Sequence, residues 1–239
     1  MTADARIQVH GLRKVFGPHR VLDGVTLDVR AGEAVALLGT NGAGKTTLLK
    51  ILATLVRPTR GTARVAGHDC VREAEQVRRR AGLIAHGSYV YDDLTALENL
   101  RFWSTLSGHP RPADVLRAAL ADVDLERVAH ERVRTFSTGM KRRLALARLR
   151  LAAPQVLLLD EPSAGLDQRA KKWLEEYLQG FKADGGALLI ATHSFGRELA
   201  VADRVAVLAG GRIVVDEPRG ALGADDIQRL YALHAEDGS

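Results

Sequence analysis

The stretch GTNGAGKT, residues 39–46, decides the fold of this chain. It matches the pattern G-x-x-x-x-G-K-[ST] in full, and it lies between the apolar run EAVALLG and the helical run GKTTLLKILATLV. Its glycines permit a tight turn that points backbone N–H groups at phosphate oxygens, and the helix N-terminus adds positive potential. We expect Lys45 to reach the β- and γ-phosphates and Thr46 to ligate Mg²⁺. The loop residues expected to bind nucleotide are Gly39, Thr40, Asn41, Gly42, Ala43, Gly44, Lys45, Thr46 and Thr47.

Two further buried strands end in residues that suit phosphate chemistry. VLLLDEP places Asp160 and Glu161 at a strand end, where ligands bind in open α/β sheets. We expect Asp160 to hold Mg²⁺ through water and Glu161 to act as the general base on an attacking water. ALLIATHS brings His193 to the same edge, where it can hydrogen-bond the γ-phosphate and stabilise transition-state charge.

The order of strands and helices predicts an α/β P-loop NTPase core with a mostly parallel sheet. The alternating runs RIQVHGL and VTLDVR predict an N-terminal antiparallel β-subdomain. The purely helical stretch at about 95–151 predicts a helical subdomain. We therefore expect one domain over 1–239, with its core formed by 1–94 and 152–239.

The composition of the chain limits the kinds of molecule that it is expected to bind. The chain has 239 residues, a formal charge of +5 and a single cysteine, Cys70, which we expect to be structural. The longest apolar runs are far shorter than the ~20 residues that cross a bilayer, so we expect any membrane role to act through a partner. We expect the run MKRRLALAR to expose Lys141, Arg142 and Arg143, but no aromatic residues alternate with these basic residues. We therefore expect no nucleic-acid partner.

Together these motifs resemble the ATP-binding subunits of ABC transporters over nearly the whole chain. The Walker A and Walker B motifs are followed by SAGLD at 163–167, which is similar to the D-loop and ends at Asp167, and by the ATHS of the switch-histidine loop. FSTGMKRRLALAR looks like the signature segment L-S-G-G-Q. Ser137 and Gly139 keep their places, whereas Thr138 replaces a glycine and Met140 replaces the glutamine.

The resemblance implies a head-to-tail dimer, expected to be of identical subunits, with two Mg·ATP at its interface. Each ATP would lie between one subunit's Walker A and the other's signature residues Ser137, Thr138, Gly139 and the nearby Asp167. Because Ser137 is expected to cap a helix, its hydroxyl and the helix N-terminus would suit a γ-phosphate. The family pattern also places Phe16 against the adenine. A transmembrane permease would hold the dimer peripherally on the cytoplasmic face of the cell membrane.

The family's glutamine after the Walker A helix is replaced here by His86. We expect His86 to reach Mg²⁺ and the nucleotide and to begin a permease-contact loop, GSYVYDD, which a capping box of Thr95 and Glu98 follows. With LTALENLRFW, this histidine resembles the heme-exporter ATPase of cytochrome c maturation. Because an imidazole titrates near neutral pH, His86 is also expected to make coupling sensitive to pH.

Other functions remain open on these residues. FSTGMKRRL is also widespread in the ATPases of drug and lipid exporters, so one of these is the main alternative. A soluble ABC-type ATPase of DNA repair or translation is disfavoured by the single cassette and by the lack of a long heptad segment. A non-catalytic nucleotide sensor is disfavoured by intact Lys45, Asp160, Glu161 and His193. A P-loop GTPase is disfavoured because no N-K-x-D motif occurs.

Overall fold

The structure is a computed structural model that describes residues 4–85, 90–108, 110–193, 197–221 and 226. Within these residues the chain forms two sheets and two groups of helices. The strands are β1 (Ala5–Phe16), β2 (His19–Arg30), β3 (Ala34–Leu38), β4 (Arg60–Val65), β5 (His68–Asp69), β6 (Ala81–Ile84), β7 (Val156–Asp160), β8 (Ala187–Thr192), β9 (Arg204–Ala209) and β10 (Arg212–Pro218).

The larger sheet has six described strands in the order β10-β9-β3-β8-β7-β6. All neighbouring pairs are parallel except β10 with β9, so the mostly parallel core sheet predicted from the sequence is confirmed. Every residue of β3, β7 and β8 is buried, because other elements pack on both faces of these strands. This is why the three strands are nearly continuous apolar runs.

The smaller sheet has four described strands in the order β2-β1-β4-β5, all antiparallel. Its pairing confirms the predicted antiparallel subdomain. The short strand β5 directly precedes Cys70. Cys70 is buried and its thiol points at the carbonyl of Leu52, while burial raises its pKa to about 12, as suits a structural cysteine.

The helices fall into those that cover the core sheet and those that form a separate cluster between β6 and β7. They are α1 (Lys45–Leu52), α2 (Ala74–Arg78), α3 (Ala96–Leu106), α4 (Ala113–Ala121), α5 (Thr138–Ala152), α6 (Gln168–Ala183) and α7 (Arg197–Val201), with 3₁₀ turns at Glu126–Val128, Val133–Thr135 and Arg219–Ala221. Helices α2 and α7, each five residues long, are too short to be predicted from the sequence pattern.

The first helix is shorter than its sequence suggested. The apolar pattern continues towards Pro58, but α1 ends at Leu52. Thr54 adopts a left-handed backbone with φ of 64°, and the N–H groups of Leu55 and Val56 both bond the carbonyl of Lys50. This turn closes the helix end, as left-handed residues commonly do.

Two apolar layers enclose the core sheet. On one face, Leu158 and Leu189 pack with Leu48 of α1 against the smaller sheet. On the other face, Leu157 and Ile190 pack against α6. A separate apolar cluster joins α3, α4 and α5. No helix in the described part of the chain combines the length and apolar character that a bilayer crossing needs.

Candidate functional site

A cavity of about 350 Å³ lies at the carboxyl ends of β3, β7 and β8. The strands end level with one another because Leu38 pairs with Thr192 and Asp160 pairs with Ala191. Side chains that follow these strands therefore meet at one edge. The lining residues are Val21, Thr40, Asn41, Gly42, Gly44, Lys45, Thr46, Thr47, Asp160, Glu161 and His193.

The loop between β3 and α1 needs glycine at two close approaches. Gly44 has φ of 106°, and a Cβ there would lie 2.8 Å from Leu22 Cδ2 and 2.9 Å from the Val21 carbonyl oxygen. A Cβ on Gly39 would lie 2.5 Å from the carbonyl oxygen of Leu208. The loop is thus seated against β2 and β9, which fixes its curvature around the cavity.

Lys45 is buried at the floor of the cavity. Its Nζ donates to the carbonyl of Gly39 at 2.6 Å and to that of Thr40 at 3.1 Å. Burial lowers the pKa of Lys45, and the nearby carboxylates of Glu161 and Asp160 oppose that shift. The loop that is predicted to bind the phosphates therefore also holds the Lys45 ammonium group in place.

Thr46 and Asp160 meet across the sheet edge. The Thr46 hydroxyl donates to Asp160 Oδ2 at 2.7 Å, although 114 positions separate the two residues. A hydroxyl and a carboxylate are hard oxygen donors of the kind that Mg²⁺ prefers. The residues present therefore fit the predicted Mg²⁺, which Thr46 and Asp160 would hold beside the phosphates.

Glu161 has an unusual backbone and a fully engaged carboxylate. Its φ of 50° is left-handed, a conformation that costs a non-glycine residue about 1–3 kcal/mol. The carboxylate accepts from the Thr192 hydroxyl at 3.2 Å and from the His193 backbone N–H at 2.9 Å. His193 Nδ1 lies 2.6 Å from Glu161 Oε1. The histidine predicted to meet a γ-phosphate is here paired with the predicted base.

Arg142 corrects one expectation. The sequence suggested that it is exposed on α5, but only 9% of its surface is accessible. Its guanidinium donates to the carbonyls of Asp160, Glu161 and Pro162, directly beneath the turn that carries the base. Burial lowers the pKa of Arg142, whereas the neighbouring Asp160 and Glu161 carboxylates raise it. The face of α5 that bears Arg142 is packed because it covers the end of β7.

The predicted signature residues lie outside this cavity. Ser137 caps α5, as expected, and its Oγ accepts the N–H of Met140 at 3.3 Å. Ser137 and Thr138 are exposed, and a Cβ on Gly139 would lie 3.1 Å from the carbonyl oxygen of Gly165. The first turn of α5 is therefore accessible at its N-terminus and packed against the loop after Glu161.

Four further predicted residues that the structure describes do not line the cavity, namely Phe16, Gly39, Ala43 and Asp167. Phe16 is half exposed, with Lys14 Nζ 4.4 Å from its ring centroid. Ala43 packs against the main apolar core, although its neighbours in the loop line the cavity. Asp167 caps α6 by accepting the N–H of Ala170 at 2.8 Å. His86, the expected Mg²⁺ ligand, lies outside the described residues.

Three residues of the site were missed from the sequence. Val21 reaches the cavity because the smaller sheet folds against the phosphate loop, and no local motif announces that contact. Thr192 bonds the base from the end of β8. Arg142 was predicted on the exposed face of α5, whereas it lies on the buried face. Of the three, only Thr192 gave a signal in the sequence, because it is a polar residue directly before His193 at the end of an apolar strand.

Comparisons with known proteins agree with this geometry. The family model described as ABC transporter matches residues 22–164. The chain is 37% identical over 231 residues to a daunorubicin resistance ATP-binding protein, DrrA3, of Streptomyces coeruleorubidus, covering 94% of this chain and 73% of that protein. It is 36% identical over 225 residues to the Nod factor export ATP-binding protein I of Burkholderia lata, covering 93% and 74%.

A solved structure described as the ATP-binding subunit of an ABC transporter superimposes with a TM-score of 0.83 at 31% identity, covering 95% of this chain and 94% of that one. The α/β P-loop NTPase fold expected from the sequence is thereby confirmed. The matched family, the similar structure and the loop and strand ends described above lead to one conclusion: the chain belongs to the ABC transporter family and is an ATP-binding, ATP-hydrolysing subunit.

Proposed function

We propose that this chain is the motor subunit of an exporter, working as a head-to-tail dimer on a separate membrane permease. One observation carries the proposal. The cavity gathers Lys45, Thr46, Asp160, Glu161 and His193, whereas the exposed N-terminus of α5 lies outside it. A second copy would bring its own α5 terminus to this cavity and complete the site.

The residues of the cavity divide the work of hydrolysis. Lys45 binds the β- and γ-phosphates, and Thr46 with Asp160 holds Mg²⁺, which supplies positive charge to the phosphates when bound. Glu161 accepts a proton from the attacking water. Its carboxylate already lies beside His193, so the two side chains can share the positioning of that water and of the γ-phosphate.

The dimer follows from the polarity of α5. Ser137 and Thr138 present hydroxyls at a helix N-terminus, where unpaired N–H groups and the helix dipole favour an anion. Gly139 adds no side chain that would obstruct a phosphate. We infer that the γ-phosphate bound by the partner subunit occupies this position, and that Phe16 stacks on the adenine of the subunit's own ATP.

A groove of about 550 Å³ is our candidate for the permease contact. It lies between α2, β6 and the ends of α3 and α5, and its rim includes the exposed Leu55 and Leu106. Arg79 pairs with Glu75 at 2.7 Å, but Arg78 and Arg148 leave the lining with a net positive charge. The indole N–H of Trp103 is buried without a hydrogen-bond partner among the described residues. An amphipathic, acidic cytoplasmic segment of a permease fits these features and would hold the chain on the cytoplasmic face of the membrane.

Leu106→Asp tests the groove. We expect the variant to keep basal ATPase activity but to lose co-purification with the permease, because a charge would enter an apolar contact. Val214→Asp is the control, since Val214 is also an exposed apolar residue but lies on β10 and does not line the groove. Equal permease binding by wild type and Leu106→Asp would exclude the groove.

Cargo is proposed from the relatives. Those named above serve daunorubicin resistance and Nod factor export, which supports a drug or lipid exporter rather than heme export. The heme expectation depended on His86, whose surroundings are not described. Co-expression with a permease encoded by an adjacent gene in a drug-sensitive host should lower the cellular concentration of daunorubicin. Restored cytochrome c maturation without drug efflux would favour heme instead.

Glu161→Gln tests the motor itself. The substitution keeps the size of the side chain but removes its basicity, so we expect the turnover number to fall about 10²- to 10⁴-fold. Because hydrolysis no longer reopens the dimer, ATP should shift the variant to twice the monomer mass in light scattering. Glu175→Gln, on α6, is the control. Normal turnover in Glu161→Gln would refute the proposed base.

A further inference from the structure

Arg142 links two parts of the molecule that the proposed function assigns to different ATP molecules. From the second turn of α5 its guanidinium reaches three successive carbonyls, those of Asp160, Glu161 and Pro162. The bond to Asp160 is 3.1 Å and the bond to Pro162 is 3.5 Å. The buried Arg142 side chain therefore fixes the backbone at the point where β7 ends.

The backbone that Arg142 holds is the left-handed one. Glu161 has φ of 50°, and its peptide carbonyl accepts from Arg142 while its carboxylate faces Thr192 and His193. The guanidinium thus fixes the base from behind, whereas the other contacts fix it from the cavity. A change in the position of Arg142 would turn the carboxylate relative to the bound nucleotide.

The other end of the link is the start of α5. One helical turn separates Gly139 from Arg142. Gly139 packs against the carbonyl of Gly165, which belongs to the loop that follows Glu161. The first two turns of α5 therefore contact the end of β7 and the β7–α6 connection at two points, Gly139 and Arg142, and form one packed unit with them.

We propose that Arg142 is a positioning residue that couples the two ATP sites of the dimer: the partner's ATP, by binding the first turn of α5, sets the orientation of this chain's own base Glu161. This inference rests on the proposed dimer. The first turn binds one nucleotide, and Glu161 acts on the other. Hydrolysis at one site therefore depends on occupancy of the second.

The chemistry favours arginine for this role. Its planar guanidinium offers several N–H donors in a rigid fork and can bind adjacent carbonyls together. A lysine ammonium keeps the charge but is a single compact group on a flexible stem. Arg142→Lys therefore separates backbone positioning from charge.

Steady-state ATPase assays of Arg142→Lys test the coupling. We expect the turnover number to fall about 10- to 100-fold, as small misplacements of catalytic groups do. We also expect the Hill coefficient for ATP to fall towards unity, while the dissociation constant for ATP stays within about twofold of wild type. Wild-type turnover and cooperativity would overturn the proposal, and so would weakened ATP binding that accounts for the whole loss of rate.

The control is Arg143→Lys. Arg143 is the next residue on α5, but its guanidinium bonds the carbonyl of Val123 at 3.2 Å, within the helical cluster. We expect unchanged cooperativity in this variant. If Arg142→Lys does not fold, Arg142→Met, which retains the bulk of the side chain, is judged by the same readings. An equal loss of cooperativity in the Arg143 control would overturn the assignment to Arg142.

A double variant separates this inference from the proposed function. If Arg142 acts through Glu161, adding Arg142→Lys to Glu161→Gln should not lower the residual rate further. An additive loss would show that Arg142 acts elsewhere. Wild-type turnover in Glu161→Gln itself would reject the proposed function, whereas a slow Glu161→Gln with a fully cooperative Arg142→Lys would reject only the coupling.

Discussion

Lys45 shows how a single side chain is prepared for its ligand. Its ammonium lies against two carbonyls of its own loop, and burial lowers its pKa. Asp160 and Glu161 oppose that shift, so the same carboxylates that serve the predicted metal and water also favour the charged lysine. An incoming phosphate meets a cation whose position is already defined.

Lys45→Ala should weaken ATP binding about 10- to 100-fold, the loss expected when a charged group loses its hydrogen bonds. Isothermal titration with ATP measures the change. Lys50→Ala is the control, because Lys50 belongs to the last turn of the same helix and does not line the cavity. Unchanged affinity in Lys45→Ala would contradict the phosphate-binding role.

At the scale of single elements, α3 depends on its first turn. The Thr95 hydroxyl accepts the Glu98 N–H at 3.2 Å, and the Glu98 carboxylate accepts the Thr95 N–H at 2.8 Å. This is the capping box predicted from the sequence. Nearby, Asn99 is fully buried and bonds the backbone of Tyr91 in both directions. The helix start is therefore tied to the segment that precedes it.

Thr95→Ala should lower the free energy of unfolding by about 1 kcal/mol, the usual cost of losing an N-cap. Urea denaturation at neutral pH measures it. Thr105→Ala makes the same change near the other end of α3, where the threonine is exposed and alanine is the better helix former. Equal destabilisation by both variants would mean that the cap contributes nothing.

Two glycines outside the phosphate loop should respond oppositely to alanine. A Cβ on Gly82 of β6 would lie 2.7 Å from Leu149 Cδ2 and 2.9 Å from Leu157 Cδ2, so we expect Gly82→Ala to destabilise the fold by about 1–3 kcal/mol. Gly180 of α6 has open space around it, so Gly180→Ala should stabilise by about 0.5–1 kcal/mol. Thermal unfolding compares them, and shifts of the same sign would refute this packing argument.

For the whole molecule, Asp23 joins the two sheets. It lies on β2 and bonds Arg212 of β10 at 2.7 Å, while Arg20 and Arg13 also approach it. Its backbone N–H donates to Gly211 at 2.8 Å. The hydrogen bond from Arg212 is the main cause that lowers the pKa of Asp23, with Arg20 adding to it and burial opposing it.

A lowered carboxyl pKa fixes the sign of the pH dependence. The stabilising contribution of Asp23 is present above its unfolded pKa of about 3.9 and is lost as pH falls through the folded value. Asp23→Asn should therefore reduce stability at pH 7 and show a shallower decline between about pH 5 and 3. Urea titrations across that range measure the slopes, with the exposed Asp93→Asn as control. Identical slopes in wild type and Asp23→Asn would contradict the ion-pair argument.

Motifs with a fixed spacing were predictable, and contacts between distant segments were not. The loop at 39–46 and the ends of β7 and β8 could be recognised because their residue types imply their backbone. The burial of Arg142 could not be predicted, because a basic run on a helix does not tell which face packs. Val21 could not be assigned, because its place depends on how two sheets meet. Thr46 and Asp160 were both predicted to serve one Mg²⁺, but the direct hydrogen bond between them depends on the strand order.

The strand order also governs when this protein can fold during its synthesis. β3 is made early, yet its described neighbours in the sheet begin at residues 187 and 204. At typical translation speeds the ribosome needs on the order of 10 s to reach them. The helices between residues 96 and 152 pack locally and can form in the meantime. The phosphate loop of the emerging chain therefore cannot adopt its folded position until β8 and β9 have been made. The apolar β3 must be shielded from aggregation until most of the chain has been translated.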